Sequence, residues 1–405
     1  MELLSPAGDI NKLRYALSYG ADAVYASGTS FGLRSHSRNF NRQELSQAVE
    51  IVHQAGKKIY ITVNIYAHNK EIAGLENYLS FLADIKVDAL IISDPGVLHQ
   101  AGLYAPRIPV HISTQANVTS WSSAKFWESA GAKRIILARE LGIAEIAEIK
   151  KRLPDLELEM FVHGAMCMSY SGRCLLSAFL NGRHANLGDC SQPCRWEYFL
   201  KEKSRPEEEF VIEEDEHGSY ILNSRDLCLI DRIAEIAQAG VDSIKIEGRM
   251  KSLYYVANVT RIYREALAAI ENDSQLVPEL REELEKVSHR VYSEGFIDGL
   301  DSMEKQYYSS SAYLRTYQYL GEIIQQTDNW LQVNVKAKFS VGEEIELVFP
   351  QRLSDRKITV TQLINEEGTQ IFFTKPNTVI KIEIEGKCPS DGILRKKIQI
   401  KELRR

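Results

Sequence analysis

The chain is sparing with the residues that interrupt regular structure. Glycine and proline fill only 35 of 405 positions (24 Gly, 11 Pro), and apolar residues make up 44%, which excludes a collagenous, low-complexity or disordered chain. No apolar run reaches membrane-spanning length, and Met1-Glu2-Leu3 opens directly on a strand pattern without a basic-then-apolar leader. The expectation is therefore a folded protein of the cytoplasm with no membrane partner. Neither sign of charge dominates: 49 basic residues stand against 55 acidic ones, a net charge of −6. That balance argues against a surface that coats nucleic acid throughout, while leaving room for a local basic patch. The protease signature HExxH is absent, as is the CxxxCxxC signature of radical adenosylmethionine enzymes. Cysteine is scarce too, with six residues, yet four of them (Cys167, Cys174, Cys190 and Cys194) crowd into one stretch, while Cys228 and Cys388 stand alone as ordinary thiols. In a reducing compartment such crowding points to a metal site or redox chemistry before disulfides.

What the chain has in quantity is alternation. Short runs rich in β-branched residues recur at Glu2–Leu4, Ala23–Ser27, Lys58–Asn64, Ala89–Ser93, Val110–Ser113, Arg134–Ala138, Leu156–Val162 and Asp242–Glu247. Between them lie helical patterns, such as Leu45, Ala48, Val49, Val52 and Ala55 ending at Gly56. Eight β-then-α units predict an α/β fold, a TIM-like (β/α)8 barrel. The competing open doubly wound sheet lacks its GxGxxG fingerprint in the first turn, Ser5–Asp9. The barrel also explains why polar residues collect at the carboxyl ends of the strands: Arg34, Asn64, Asp94, Gln115, Asn117, Arg139, Glu140, His163, Glu247 and Arg249.

The alternation breaks once, between Leu156 and Asp242, where a cysteine-rich insertion follows strand seven. A charged hairpin is expected within Tyr198–Ser224, a helix across Asp226–Gly240, and a long helix from about Leu253 to Glu271. After about Tyr317, alternating strands at 321–325, 330–337, 343–349, 357–364, 369–373 and 379–384 predict a small antiparallel β-barrel, closed by a basic end from Gly392 to Arg405. The expected organisation is a barrel over 1–272 with its insertion at 163–224, a helical connector over 273–316, and a β-domain over 317–405.

The cysteines follow C-x6-C-x15-C-x3-C. Four thiolates fill a tetrahedral zinc shell or supply one sulfur to each iron of a cubane. Zinc ribbons favour tight CxxC knuckles, which are missing here, so the spacing leans toward iron–sulfur. His163 lies four residues before Cys167, and stays open between a scaffold residue, a hydrogen-bond donor and a proton shuttle. Arg34, Asn64, Gln115, Arg139, Arg173 and Arg249 suit an anionic substrate, because guanidinium groups grip carboxylate or phosphate with two hydrogen bonds. Some of them would instead pair with Asp94, Glu140, Asp226 and Glu247.

Several segments together carry a resemblance: Glu2–Gly8 (ELLSPAG), Tyr19–Tyr25 (YGADAVY), Phe31–Arg34 (FGLR), Val63-Asn64 with Ala67–Asn69, Ser93–Gly96 (SDPG), Phe161–Cys167 (FVHGAMC), Tyr170–Cys174 (YSGRC), Cys194–Glu197 (CRWE), Glu214–Gly218 (EDEHG) and Ile244–Arg249 (IKIEGR). From residue 2 to about residue 270 the chain resembles the collagenase-like peptidase family of unknown catalytic type. Within it the pattern is similar to the branch of prephenate-dependent tRNA uridine hydroxylases, which make 5-hydroxyuridine at the wobble position. The resemblance implies a four-iron four-sulfur (4Fe-4S) cluster on Cys167, Cys174, Cys190 and Cys194. It also implies prephenate, a dicarboxylate, as oxygen source or essential cosubstrate without O2. The implied partners are tRNA and prephenate, together with a paralogous subunit or a second copy of the chain. On this reading Arg34, Arg139, Arg173 or Arg249 hold carboxylates, while His163, Glu247 or Asp226 moves protons. The β-domain is similar to barrels of translation factors, and its aromatics and basic end suit RNA. The rival readings are a peptide hydrolase and a non-catalytic RNA-binding partner subunit.

Overall fold

The computed structural model describes residues 1–32, 39–166, 176–181, 183, 191, 193, 214–215, 218–219, 225–299, 313–327 and 329–398. Eight parallel strands form a closed barrel. They are β1 (Glu2–Pro6), β2 (Ala23–Ser27), β3 (Lys58–Val63), β4 (Ala89–Ile92), β5 (Val110–Ile112), β6 (Arg134–Ile136), β7 (Glu157–Ala165) and, after an intervening strand β8 (Asp226–Cys228), β9 (Ser243–Ile246). Closure is made by β9, which pairs in parallel with β1 (Leu3 opposite Ile244) and with β7 (Phe161 opposite Lys245). The strands read as apolar runs because they are covered on both faces; all four residues of β4 are buried.

Helix Arg42–Gln54 shows how the outer layer is specified. Asn41 and Glu44 cap its first turn reciprocally. Leu45, Ala48, Val49 and Val52 face inward, and the chain leaves through Gly56 at φ +67°. Asp94, expected at the mouth, caps the helix Pro95–Tyr104 by accepting from Val97 N at 3.0 Å.

The barrel floor is charged. Inside the strands, Arg134 donates to Glu2 (2.6 Å), Glu157 (2.8 Å) and Glu159 (2.9 Å), and Lys245 Nζ donates to Glu159 at 2.9 Å. Tyr60 OH and Ser243 Oγ complete Glu2. Each carboxylate thus has donors to offset its lost hydration.

The predicted helix over Asp226–Gly240 begins later than expected. Asp226–Cys228 forms β8, followed by a tight turn at Ile230–Arg232 and a helix only over Ile233–Gln238. The cause lies in β7, which projects beyond the barrel and leaves backbone groups at its edge. Strand β8 satisfies them in antiparallel register, with Asp226 opposite Ala165 and Cys228 opposite His163. A further strand, β10 (Tyr292–Ser293), adds to β8.

The C-terminal region is an antiparallel half-barrel of eight strands: β11 (Tyr317–Thr327), β12 (Trp330–Val335), β13 (Glu344–Val348), β14 (Arg356–Thr359), β15 (Leu363–Asn365), β16 (Gln370–Ile371), β17 (Val379–Glu383) and β18 (Ile393–Lys397). The single run expected at 357–364 is divided into β14 and β15. The start of the expected basic tail is instead β18, an interior strand between β11 and β13, and Arg395 on it is buried. Val348 and Ile393 of this sheet pack into the barrel's own apolar core, while the sheet keeps a second core around Leu331, Val333, Phe339 and Leu347. The helix Leu253–Glu271 joins the two regions and is buried without interruption from Leu253 to Tyr263. Its Arg261 reaches Phe349 O and Asp355 in the C-terminal region.

Candidate active site at the barrel mouth

Two sets of polar side chains face the carboxyl end of the barrel. In the first, the short 3-10 turn Thr114–Ala116 after β5 carries Gln115, and Ser113 caps that turn. Asn117 ends it in the left-handed region at φ 59°. Gln115 Oε1 accepts from Asn64 Nδ2 (2.6 Å), Ser113 Oγ (3.2 Å) and Ser93 Oγ (3.3 Å). Asn64 and Ser113 on that oxygen, with Ser93 dividing its one proton between it and Asn64 O at 3.3 Å, fix the amide plane, so Nε2 is turned away from them as a donor for a carbonyl or carboxylate. Asn64 and Gln115, both picked out by their place at strand ends, are therefore brought together.

The second set lies across the mouth. Arg139 follows β6, donates from Nη1 to Ala165 O at 2.7 Å, and stacks 4.0 Å above the Phe161 ring. Its Nη2 lies 3.8 Å from Glu247 Oε2. Arg139 Nε is buried and has no hydrogen-bond partner among the described residues, so the guanidinium is fixed by the Ala165 carbonyl and the Phe161 ring. Glu247 and the buried Arg249 extend from β9. Close approach of backbones builds this corner. A Cβ on Gly8 would sit 2.4 Å from Arg249 O, and Gly164, at φ +109°, would carry one 2.5 Å from Glu247 O.

His163 and Asp226 occupy different places from those expected. Strand parity would put His163 inside with Glu159 and Phe161, but a β-bulge shifts the register so that Ile246 pairs with His163. The ring is turned out of the barrel. It lies among Tyr255, Tyr263 and Tyr292, at centroid distances of 5.8, 5.6 and 5.2 Å. Burial pushes its pKa down to about 3, against partial opposition from Asp226, so it remains neutral at physiological pH and supports the mouth from behind. Asp226 is buried and receives Arg290 N, Nε and Nη2 at 3.1, 3.0 and 2.7 Å. Burial alone would raise its pKa; the Arg290 charge outweighs that and lowers it. It is a fixed ion pair behind the mouth rather than a free proton donor.

The depressed histidine has a consequence for stability. An unfolded chain takes up the proton below the ordinary value of 6.5, while the folded chain refuses it, so stability is complete above that pH and is lost as pH falls toward 3. The cost is about 1.4 kcal/mol per pH unit within that window. We expect the urea midpoint of the native protein to fall between pH 6.5 and 5, and His163→Gln to reduce that slope. The buried His111, also held well below its usual value by burial, supplies a remaining part. Equal slopes for the variant and native proteins would contradict the assignment.

Arg34, Arg173 and all four clustered cysteines, Cys167, Cys174, Cys190 and Cys194, lie outside the described residues. The described chain ends on Met166, next to the first cysteine, at the mouth end of β7. Among the described residues no group of three or more His, Cys, Asp or Glu side chains is placed to hold a metal, and no helix is long and apolar enough to cross a membrane. The sequence reasoning missed Phe161 as the platform for Arg139 and Ser113 as a support of Gln115. Their signal was parity: both share the inward face of their strands with charged or polar residues.

The model of peptidase family U32 matches residues 8–307, and that of the peptidase family U32 C-terminal domain matches residues 315–395. The chain is 36% identical over 401 residues to tRNA hydroxylation protein P1 of Bacillus subtilis, covering 98% of this chain and 94% of that one. It is 38% identical to tRNA hydroxylation protein P of Escherichia coli, covering 91% and 90%. A 23S rRNA 5-hydroxycytidine synthase of Escherichia coli is 39% identical over 270 residues, which span 67% of this chain and 40% of that protein.

Proposed function

This chain belongs to peptidase family U32, and from that premise we propose that it is a tRNA-modifying enzyme that hydroxylates a uridine, to 5-hydroxyuridine at the wobble position, with prephenate and a 4Fe-4S cluster and without O2. The observation that carries the reading is coverage: similarity to proteins named for tRNA hydroxylation extends through the barrel and the C-terminal sheet alike. The mouth chemistry supports it. Arg139 and Arg249 bring guanidinium chemistry that suits a dicarboxylate to this end of the barrel, Arg34 and Arg173 are assigned the same role from the sequence alone, and Gln115 Nε2 offers a neutral donor to a carbonyl edge such as that of uracil. Glu247 remains the proton-handling group on the mouth side, oriented near Arg139. His163 and Asp226 position β7 and β8 from behind.

Cys167, Cys174, Cys190 and Cys194 make a complete thiolate set for the cluster, and the first of them follows Met166 in sequence. When bound, such a cluster supplies Lewis-acidic or redox-active iron. The test is mass spectrometry of tRNA nucleosides after deletion of the gene. Loss of 5-hydroxyuridine is expected, restored by the native gene but not by Cys167→Ser, with the modification persisting under anaerobic growth. Unaltered nucleosides would sink the reading. Gelatin cleavage surviving substitution of all four cysteines would favour a peptidase instead.

A further inference from the structure

The geometry points to an RNA-docking edge on the C-terminal sheet, formed by Phe372 and Phe373 with Lys338 and Lys375, that takes unpaired bases of the substrate RNA; this rests on the tRNA reading above. Phe372 is 74% exposed and Phe373 47%, consecutive residues just after β16. Two exposed phenyl side chains on one short segment are unfavourable in water unless something covers them.

They are not on a loose turn. Val341 N donates to Phe372 O at 2.9 Å, and Thr374 N donates to Phe339 O at 2.8 Å. Thr374 is buried, and its Oγ1 accepts from Phe339 N at 3.0 Å. The backbone under the rings is therefore clamped to the turn after β12.

Charge selects the occupant. Lys338 Nζ stands 4.5 Å over the Phe373 ring, and Lys375 is exposed two residues further on. Neither has a carboxylate partner among the described residues, whereas Lys336, Lys357 and Lys396 on the same sheet are matched to Glu322, Glu344 and Glu343. Unmatched ammonium groups beside exposed aromatic faces fit phosphates alternating with bases. Base faces are available only where the RNA is unpaired, so a loop is expected rather than a duplex. The acidic pair Glu366 and Glu367 lies at the β15–β16 turn, which directs the phosphate track to the Lys338 side.

The test uses the full chain and its tRNA transcript, with binding measured by fluorescence anisotropy at two salt concentrations. Phe372→Ala with Phe373→Ala should weaken binding roughly thirtyfold or more, while Phe372→Trp should retain it. Lys338→Ala with Lys375→Ala should flatten the salt dependence by about 1.4 in log–log slope. Unchanged affinity and slope overturn the proposal. A shift from dimer to monomer in the phenylalanine variant, with tRNA affinity intact, overturns it in favour of self-association. Failure is separable from that of the function itself. Hydroxylation with unaltered affinity in the variants removes only the docking edge, whereas edge-dependent binding without any hydroxylation removes only the enzymatic reading.

Discussion

Glu159→Ala should destabilise the barrel by roughly 3–5 kcal/mol, the cost of leaving buried charges without their partner. Glu159 is fully buried. Burial by itself would raise its pKa, but Lys245 and Arg134 together hold it below the usual carboxylate value. Arg134 would keep Glu2 and Glu157, whereas Lys245 would lose the carboxylate to which it donates. Burial already lowers the pKa of that amine, so it would respond by shedding its proton inside the barrel. Glu159→Gln, which keeps the shape and one acceptor, should cost less. Replacing Glu159 and Lys245 together by leucine should recover much of the loss, since well-packed apolar residues often match a buried ion pair. Denaturant titration decides, and a Glu159→Ala loss under about 1 kcal/mol would show that the floor network is not a stabilising unit.

Arg395→Leu is expected to have a comparable effect through a different mechanism, by cutting the contact between barrel and half-barrel. The guanidinium donates to Glu346 at 2.7 Å, to Glu283 at 2.8 and 3.2 Å, and to Tyr254 OH at 3.0 Å. Burial pushes Glu283 up, but Arg395 and then Lys286 overcome it and bring its pKa down to about 2. Stability from that shift is present above the ordinary value of 4.5 and is lost as pH falls toward 2. The variant should lose roughly 3–5 kcal/mol at neutral pH and show a shallower acid dependence between pH 4.5 and 2. Calorimetry would additionally show the single transition broadening or dividing, as the two cores cease to unfold together. A native-like single transition at the native midpoint would refute this coupling.

The barrel was legible because parallel strands buried on both faces leave little choice of residue. Ala89–Ile92 and Lys58–Val63 announce themselves by composition, and the long helix Leu253–Glu271 by its periodicity. Three features were not readable, each for a reason of tertiary context. The bulge at Ile246 and His163 depends on how two distant strands meet, so a place at a strand end alone grouped the histidine with the mouth residues. Asp226–Cys228 looks helical in isolation and becomes a strand because β7 offers it an unfilled edge. Arg395 sits in a run of basic residues that reads as a solvated tail, yet Glu283 and Glu346 take it into the interior. At the mouth, residue types were readable from strand ends, while the joining of Asn64 to Gln115 needed the closed ring.

The antiparallel pairing of Ala165 with Asp226 has a consequence for how such a protein can change over time. Whatever lies between these two positions leaves and rejoins the barrel at adjacent points on one ladder, so its length is almost independent of the scaffold's geometry. The ladder acts as a socket. Cysteine spacing and loop content could drift, lengthen or be exchanged there without altering strand register, which would let one ancestral barrel be refitted for different substrates while its charged floor stayed as it was.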